Sequence, residues 1–151
     1  MAVNINRQKL LVGGLAAGLV LNVIDFLAHA VILADRMQAD ANAFKPGLGD
    51  QFAAMGVGQI AMYVFFDFII GILLVWTYAA IRPRFGPGVR TAAYAGLLFF
   101  VFGFILNYGY KDMGIMSAGL WWSFTVIWFV NLLLASSVGA WLYSEDEART
   151  A

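Results

Sequence analysis

The chain has no cysteine, three prolines and a single histidine in 151 residues. Without cysteine there is no disulfide, thiolate nucleophile, iron–sulfur cluster or zinc finger. With one histidine, the usual nucleophile–base pairs lack their base. No G-x-S-x-G, phosphate-binding loop, H-E-x-x-H or C-x-x-C occurs. Gly13, Gly14 and Gly18 follow no strand pattern, so they form no dinucleotide fingerprint. The expectation is a protein that is not an enzyme, with no catalytic residues and no resident metal. Charge is scarce as well. Charged residues make up 12% of the chain, against roughly 25% in a soluble domain. That is too little polar surface to keep a small body dissolved. Nine basic and nine acidic residues cancel, so nothing draws the chain to nucleic acid.

What is abundant is apolar. Such residues make up 62% of the chain, which excludes disorder. A bilayer core of about 30 Å needs about 20 apolar residues in a helix. Four stretches meet this, at about 10–33, 57–81, 92–110 and 118–143. Helices are required, because an open strand leaves backbone groups unpaired in hydrocarbon and the alternation of a barrel strand is absent. The expected fold is all-α: a single integral membrane domain, a four-helix bundle, with an outer loop at about 34–56. The alanine-rich part of that loop, 34–44, would extend the first helix beyond the lipid. Asp50 is placed to cap a second helix beginning near Gln51, and Ser117 to cap the fourth. Two prolines and two glycines in 82–88 predict that the second helix stops before them. A tight turn is expected at 111–114.

Lysine and arginine counts give the orientation. Arg7, Lys9, Arg82, Arg84, Arg90 and Arg149 fall on one side; Arg36, Lys45 and Lys111 fall on the other. The richer side is expected to be cytoplasmic, with both termini inside a bacterial inner (plasma) membrane. Trp76, Tyr78, Trp141 and Tyr143 would then form an inner aromatic belt, and Tyr110, Trp121 and Trp122 an outer one. Arg82, Arg84 and Arg90 would touch anionic lipid headgroups. A cleavable signal is the rival reading of residues 1–30, with Ala28-His29-Ala30 as its cleavage site. The apolar run is long for a signal and holds an aspartate, which favours a retained span. Ala17-Gly18-Leu19 matches Ala95-Gly96-Leu97, and Trp76-Thr77-Tyr78 matches Trp141-Leu142-Tyr143. Both halves would start inside, as a tandem two-helix repeat.

Ionisable groups within a membrane are expensive and mark sites by default. Asp25, His29 and Asp67 are the three. On the first helix Gly14, Gly18, Asn22, Asp25 and His29 recur at steps of four, four, three and four. At about 100° per residue they share an arc of roughly 80°. Gln59, Tyr63, Asp67, Gly71 and Tyr78 share a face of the second helix. Counted from the outer ends, Asp25 and Asp67 should lie within about one turn of each other in depth, and the two faces should meet. The plainest role for Asn22, Asp25, His29 and Asp67 is as hydrogen-bonding ties between helices. Three further readings are a proton or cation path through the carboxylates, a sparse metal set of Asp25, His29 and Asp67, and a tetrapyrrole or quinone site. In the last, His29 would be the single axial ligand of a tetrapyrrole, ringed by Phe99, Phe100, Phe102, Phe104, Trp128 and Phe129.

The run 76–88, Trp-Thr-Tyr-Ala-Ala-Ile-Arg-Pro-Arg-Phe-Gly-Pro-Gly, resembles a loop of uncharacterised small bacterial membrane proteins with four helices. The N-terminal Leu-Val-Gly-Gly-Leu-Ala-Ala-Gly-Leu-Val and the C-terminal Gly139-Ala140-Trp141-Leu142-Tyr143 are similar too. The resemblance implies the four-helix membrane fold and assigns no activity. Two functions follow from the residues. One is an accessory or structural subunit that packs against other membrane subunits, or against itself, within lipid. The other is a small carrier or ligand-binding bundle using Asp25, His29 and Asp67.

Overall fold

The computed structural model describes residues 5–143, all-helical and without a strand among them. Helix α1 spans Arg7–Phe26 and runs into a π-helical turn, Leu27–Ile32. Two short helices follow, α2 (Ala34–Phe44) and α3 (Leu48–Ala53). Three long ones complete the chain: α4 (Val57–Phe85), α5 (Val89–Asp112) and α6 (Ala118–Leu142). Arg7–Ile32, α4, α5 and α6 are each long and apolar enough to cross a bilayer. By length and composition the chain is a membrane protein.

The helix ends have local causes, and some differ from expectation. Asn6 caps α1 by accepting from the Lys9 N–H at 2.9 Å, and Ser117 caps α6 through Leu120. Asp50 does not cap α4. It sits in the first turn of α3, where its carboxylate accepts from Gln38 at 2.9 Å. Helix α4 starts six residues later than Gln51 because Gly56 takes the cap position, its N–H donating to the Gln59 side chain at 3.1 Å. Nor does α4 stop before Pro83. Proline removes one bond, to the carbonyl of Ala79, but within the final turn the helix continues to Phe85. It ends at Gly86, whose φ of 83° favours glycine. The expected outer loop holds α2 and α3, and the π turn and Leu33 separate α2 from α1.

Helix α1 packs against α4 and α6, α5 packs against α6 and α4, and α4 also touches α6. The α1–α4 seam is antiparallel and built on glycine. A Cβ at Gly14 would meet Ile72 at 2.7 Å, and one at Gly18 would meet the Phe68 backbone at 2.8 Å. One turn on, the Asn22 amide donates to the Val64 carbonyl at 3.3 Å. Each step of four along α1 is thus a step of four back along α4. Gly71 faces the Gly18 and Gly14 backbone directly. Such close backbone approach is how membrane helices associate, because lipid supplies no hydrophobic drive between them. Gly13 meets Gly139 across the α1–α6 seam, and Gly96 meets Ser136 and Leu132 across the α5–α6 seam.

Three of the expected belt positions are internal. Tyr78 and Tyr143 are buried and pack edge to face at 6.0 Å. The Tyr78 hydroxyl accepts from the Gly88 N–H at 3.1 Å, tying down the α4–α5 connection. Trp121 is buried as well, because its indole N–H donates to the Asn107 carbonyl at 3.2 Å. Trp76, Trp122 and Trp141 are exposed, as a belt requires. Arg84 and Arg90 are exposed, whereas Arg82 is half-buried with its guanidinium 5.8 Å from the Tyr143 ring centre. Arg149 lies outside the described residues.

At the opposite end, α2 is tied to α6. The Asp40 carboxylate accepts from the Ser117 backbone N–H at 2.8 Å, where the dipole of α6 favours a negative group. Asp40→Ala is expected to cost about 1 kcal/mol, as loss of a cap does. In a chain of this length the unfolding midpoint in detergent would fall by about 2–4 °C. An unchanged midpoint by scanning fluorimetry would mean the tether contributes nothing.

Candidate ligand cavity

The four polar residues singled out in the sequence divide into two groups. Asn22 belongs to the α1–α4 seam, bonded to the Gly18 and Val64 carbonyls. Asp67 is half-buried on α4 and accepts no hydrogen bond from the described residues, though its carboxyl lies within electrostatic reach of Asp25. Continued along α4, the seam register puts Asp67 level with Leu19, six positions from Asp25. At 1.5 Å per residue this is about 9 Å, more than the one turn expected. The reason is that α1 and its π turn reach past the start of α4, so counting from the outer ends misjudged the depths. Gln59 and Tyr63, on the same face of α4, are exposed.

Asp25 instead turns toward α6. One oxygen of its carboxylate accepts from the Asn131 amide at 2.9 Å, and the same amide reaches the Leu21 carbonyl at 3.3 Å. Asn131 is fully buried at the centre of α6, and its own oxygen finds no partner. The second Asp25 oxygen accepts no hydrogen bond from the described residues either.

His29 follows one turn later, in the π segment. Its Nδ1 lies 2.8 Å from the Asp25 backbone carbonyl. A carbonyl only accepts, so Nδ1 carries a proton, which leaves Nε2 for another partner. The ring rests on Phe124, with centroids 4.8 Å apart. The π turn itself is marked by the Leu33 N–H reaching back five residues to the Ala28 carbonyl at 2.9 Å. Such wide turns inside helices recur at functional sites.

Asp25 and His29 together line a cavity of about 220 Å³. Its walls come from the α1–π region, α5 and α6: Phe104, Asn107, Trp121, Phe124, Thr125 and Trp128. Met37 of α2 and Met116, just before α6, close the outer end. Trp128 is held in place by Gly103 of α5, because any side chain there would occupy the indole's position. The cavity lies in the half of the membrane domain away from the termini; the other half is packed glycine against glycine.

The readings made from the sequence sort against this geometry. Asp25, His29 and Asp67 do not converge on one point, and no group of three His, Cys, Asp or Glu side chains among the described residues is placed to hold a metal. Of the rings expected around His29, Phe104 and Trp128 line the cavity. Phe100 packs behind them on Phe104, Trp128 and Phe129, while Phe102 is exposed. A 220 Å³ space is smaller than a tetrapyrrole needs, since about 150 Å³ already suits a single benzene ring. Asn131, Phe124 and Thr125 are not among the residues that the sequence singles out for this site. For Asn131 the available signal is a lone amide at the middle of a helix whose other polar side chains are hydroxyls or indoles. Comparison with family models, curated proteins and solved structures returned no match.

Proposed function

We propose that this is a non-catalytic bundle of four membrane helices that holds a small molecule in its outer half. It belongs with the small bacterial four-helix membrane proteins that residues 76–88 resemble. In this reading it lies in a bacterial plasma membrane with both termini cytoplasmic, as the arginine and lysine asymmetry supports. The matching contacts of Gly18 with Gly71 and of Gly96 with Ser136 favour a tandem repeat of helix pairs. The observation that carries the binding function is the cavity, on which the intramembrane carboxylate and imidazole of α1 open together among aromatic rings. The tight glycine packing toward the termini favours a binding site over a through-path.

The test fills the space. Thr125 lines the cavity and bonds only to its own helix, at the Trp121 carbonyl, so Thr125→Trp should occlude it while leaving the fold intact. Native mass spectrometry from mild detergent is expected to show a small bound mass in the parent protein and none in the variant. No small molecule in either would overturn the reading. A second function, the accessory subunit, draws on one observation: α4 has the least buried apolar span of the four. Reproducible co-extraction of a second membrane subunit, lost on placing a lysine at exposed Phe65, would favour it.

A further inference from the structure

The chemistry of the cavity wall narrows what it can hold. Its one acidic side chain is Asp25; the rest of the lining is apolar, aromatic, thioether, amide, hydroxyl or imidazole. Most donors that face it are already engaged within the protein. The His29 Nδ1–H is held by the Asp25 carbonyl, the Trp121 indole by the Asn107 carbonyl, and the Thr125 hydroxyl by the Trp121 carbonyl. Asn107 gives one amide hydrogen to Gly103. The groups left over are mainly acceptors: the second Asp25 oxygen, His29 Nε2 and the Asn107 side-chain oxygen. Against them stand the Trp128 indole N–H and one Asn107 hydrogen. An occupant must therefore bring hydrogen-bond donors, and a positive charge on it would be matched rather than stranded.

The rings point the same way. Phe104, Trp121, Phe124 and Trp128 surround the space, and aromatic faces attract cations, most strongly when water is excluded. Met37 and Met116 add polarizable thioethers that adapt to an irregular apolar body. The volume, somewhat above the 150 Å³ that suits benzene, fits one ring with a short alkyl arm. We infer that the occupant is a small organic ammonium ion with an aromatic or alkyl body, its nitrogen between Asp25 and His29 and its apolar part among the rings of α5 and α6. This inference rests on the cavity being a ligand site and goes further by fixing the charge of the ligand.

The experiment keeps the two apart. The full chain in nanodiscs is titrated by calorimetry with phenethylammonium, 3-phenylpropan-1-ol and 3-phenylpropanoate, which share a ring and differ in charge. Empty nanodiscs correct for partition into lipid. Phenethylammonium is expected to bind at least about tenfold tighter than the alcohol, and the carboxylate not measurably. Asp25→Asn, which can still accept from Asn131, should remove that tenfold preference of ammonium over alcohol. Equal binding of alcohol and ammonium would overturn the inference and leave the binding site standing. Binding of none of the three would overturn both. Should Asp25→Asn fail to fold, the series on the parent protein decides alone.

Discussion

Gly71→Leu is expected to lower the thermal unfolding midpoint by about 6–12 °C. The estimate takes about 3 kcal/mol for overpacking a tight contact and about 2–4 °C per kcal/mol at this size. The reason is geometric. A Cβ at Gly71 already collides with the Gly18 backbone, and Gly14 stands on its other side. Backbone does not rotate out of the way as a side chain does, so α1 and α4 must separate. Separation also breaks the Asn22–Val64 bond further along the seam. Gly119→Leu is the matched control. That glycine lies in α6 with open space around it, and leucine has the better helix propensity by up to about 1 kcal/mol. Scanning fluorimetry of both variants in one detergent separates the effects. Equal midpoints would show that the α1–α4 seam is looser than its glycines imply.

Asn131→Leu is expected to cost about 2 kcal/mol, or about 4–8 °C in midpoint. Interhelical hydrogen bonds in membranes average only about 0.6 kcal/mol and reach about 1.7. Asn131 belongs at the upper end, because it is fully buried and bonds two partners on α1. Its loss leaves the Asp25 carboxyl group without its only hydrogen-bond donor among the described residues, and an orphaned polar group costs more than a bond gained is worth. The decisive quantity is therefore the coupling. The double variant Asp25→Leu with Asn131→Leu removes both halves and should recover part of the loss, by about 0.5–1.5 kcal/mol relative to the sum of the singles. Strict additivity would show that the contact carries no energy of its own.

Why the sequence revealed the spans but not the whole site follows from what each depends on. The four crossings rest on runs of about 20 apolar residues, a one-dimensional property. The face bearing Gly14, Gly18, Asn22, Asp25 and His29 was legible because helical spacing is also local. Asn131 has no companion at i+3 or i+4 of matching chemistry, so nothing local pairs it with Asp25, 106 positions away. The depth of Asp67 relative to Asp25 depended on how far α1 and its π turn run past the start of α4, and that is set by the register of the α1–α4 seam. Tyr78 and Tyr143 have the amphipathic character of interfacial residues, yet each is enclosed because its neighbour across the fold is the other. Inter-helix register decides such outcomes, and hydropathy carries no register.

The wide turn at Leu27–Ile32 has one further consequence. A π turn is an α-helix carrying an extra residue, so it sets the rotational phase of all that follows. Winding the same six residues as a regular α-helix, at about 100° per residue, would swing α2 by about 100° about its axis. Met37 and Asp40 would then face away from the cavity mouth and from Ser117. A chain that wound regularly over those six residues would keep its four crossings yet lose the cover over its outer end.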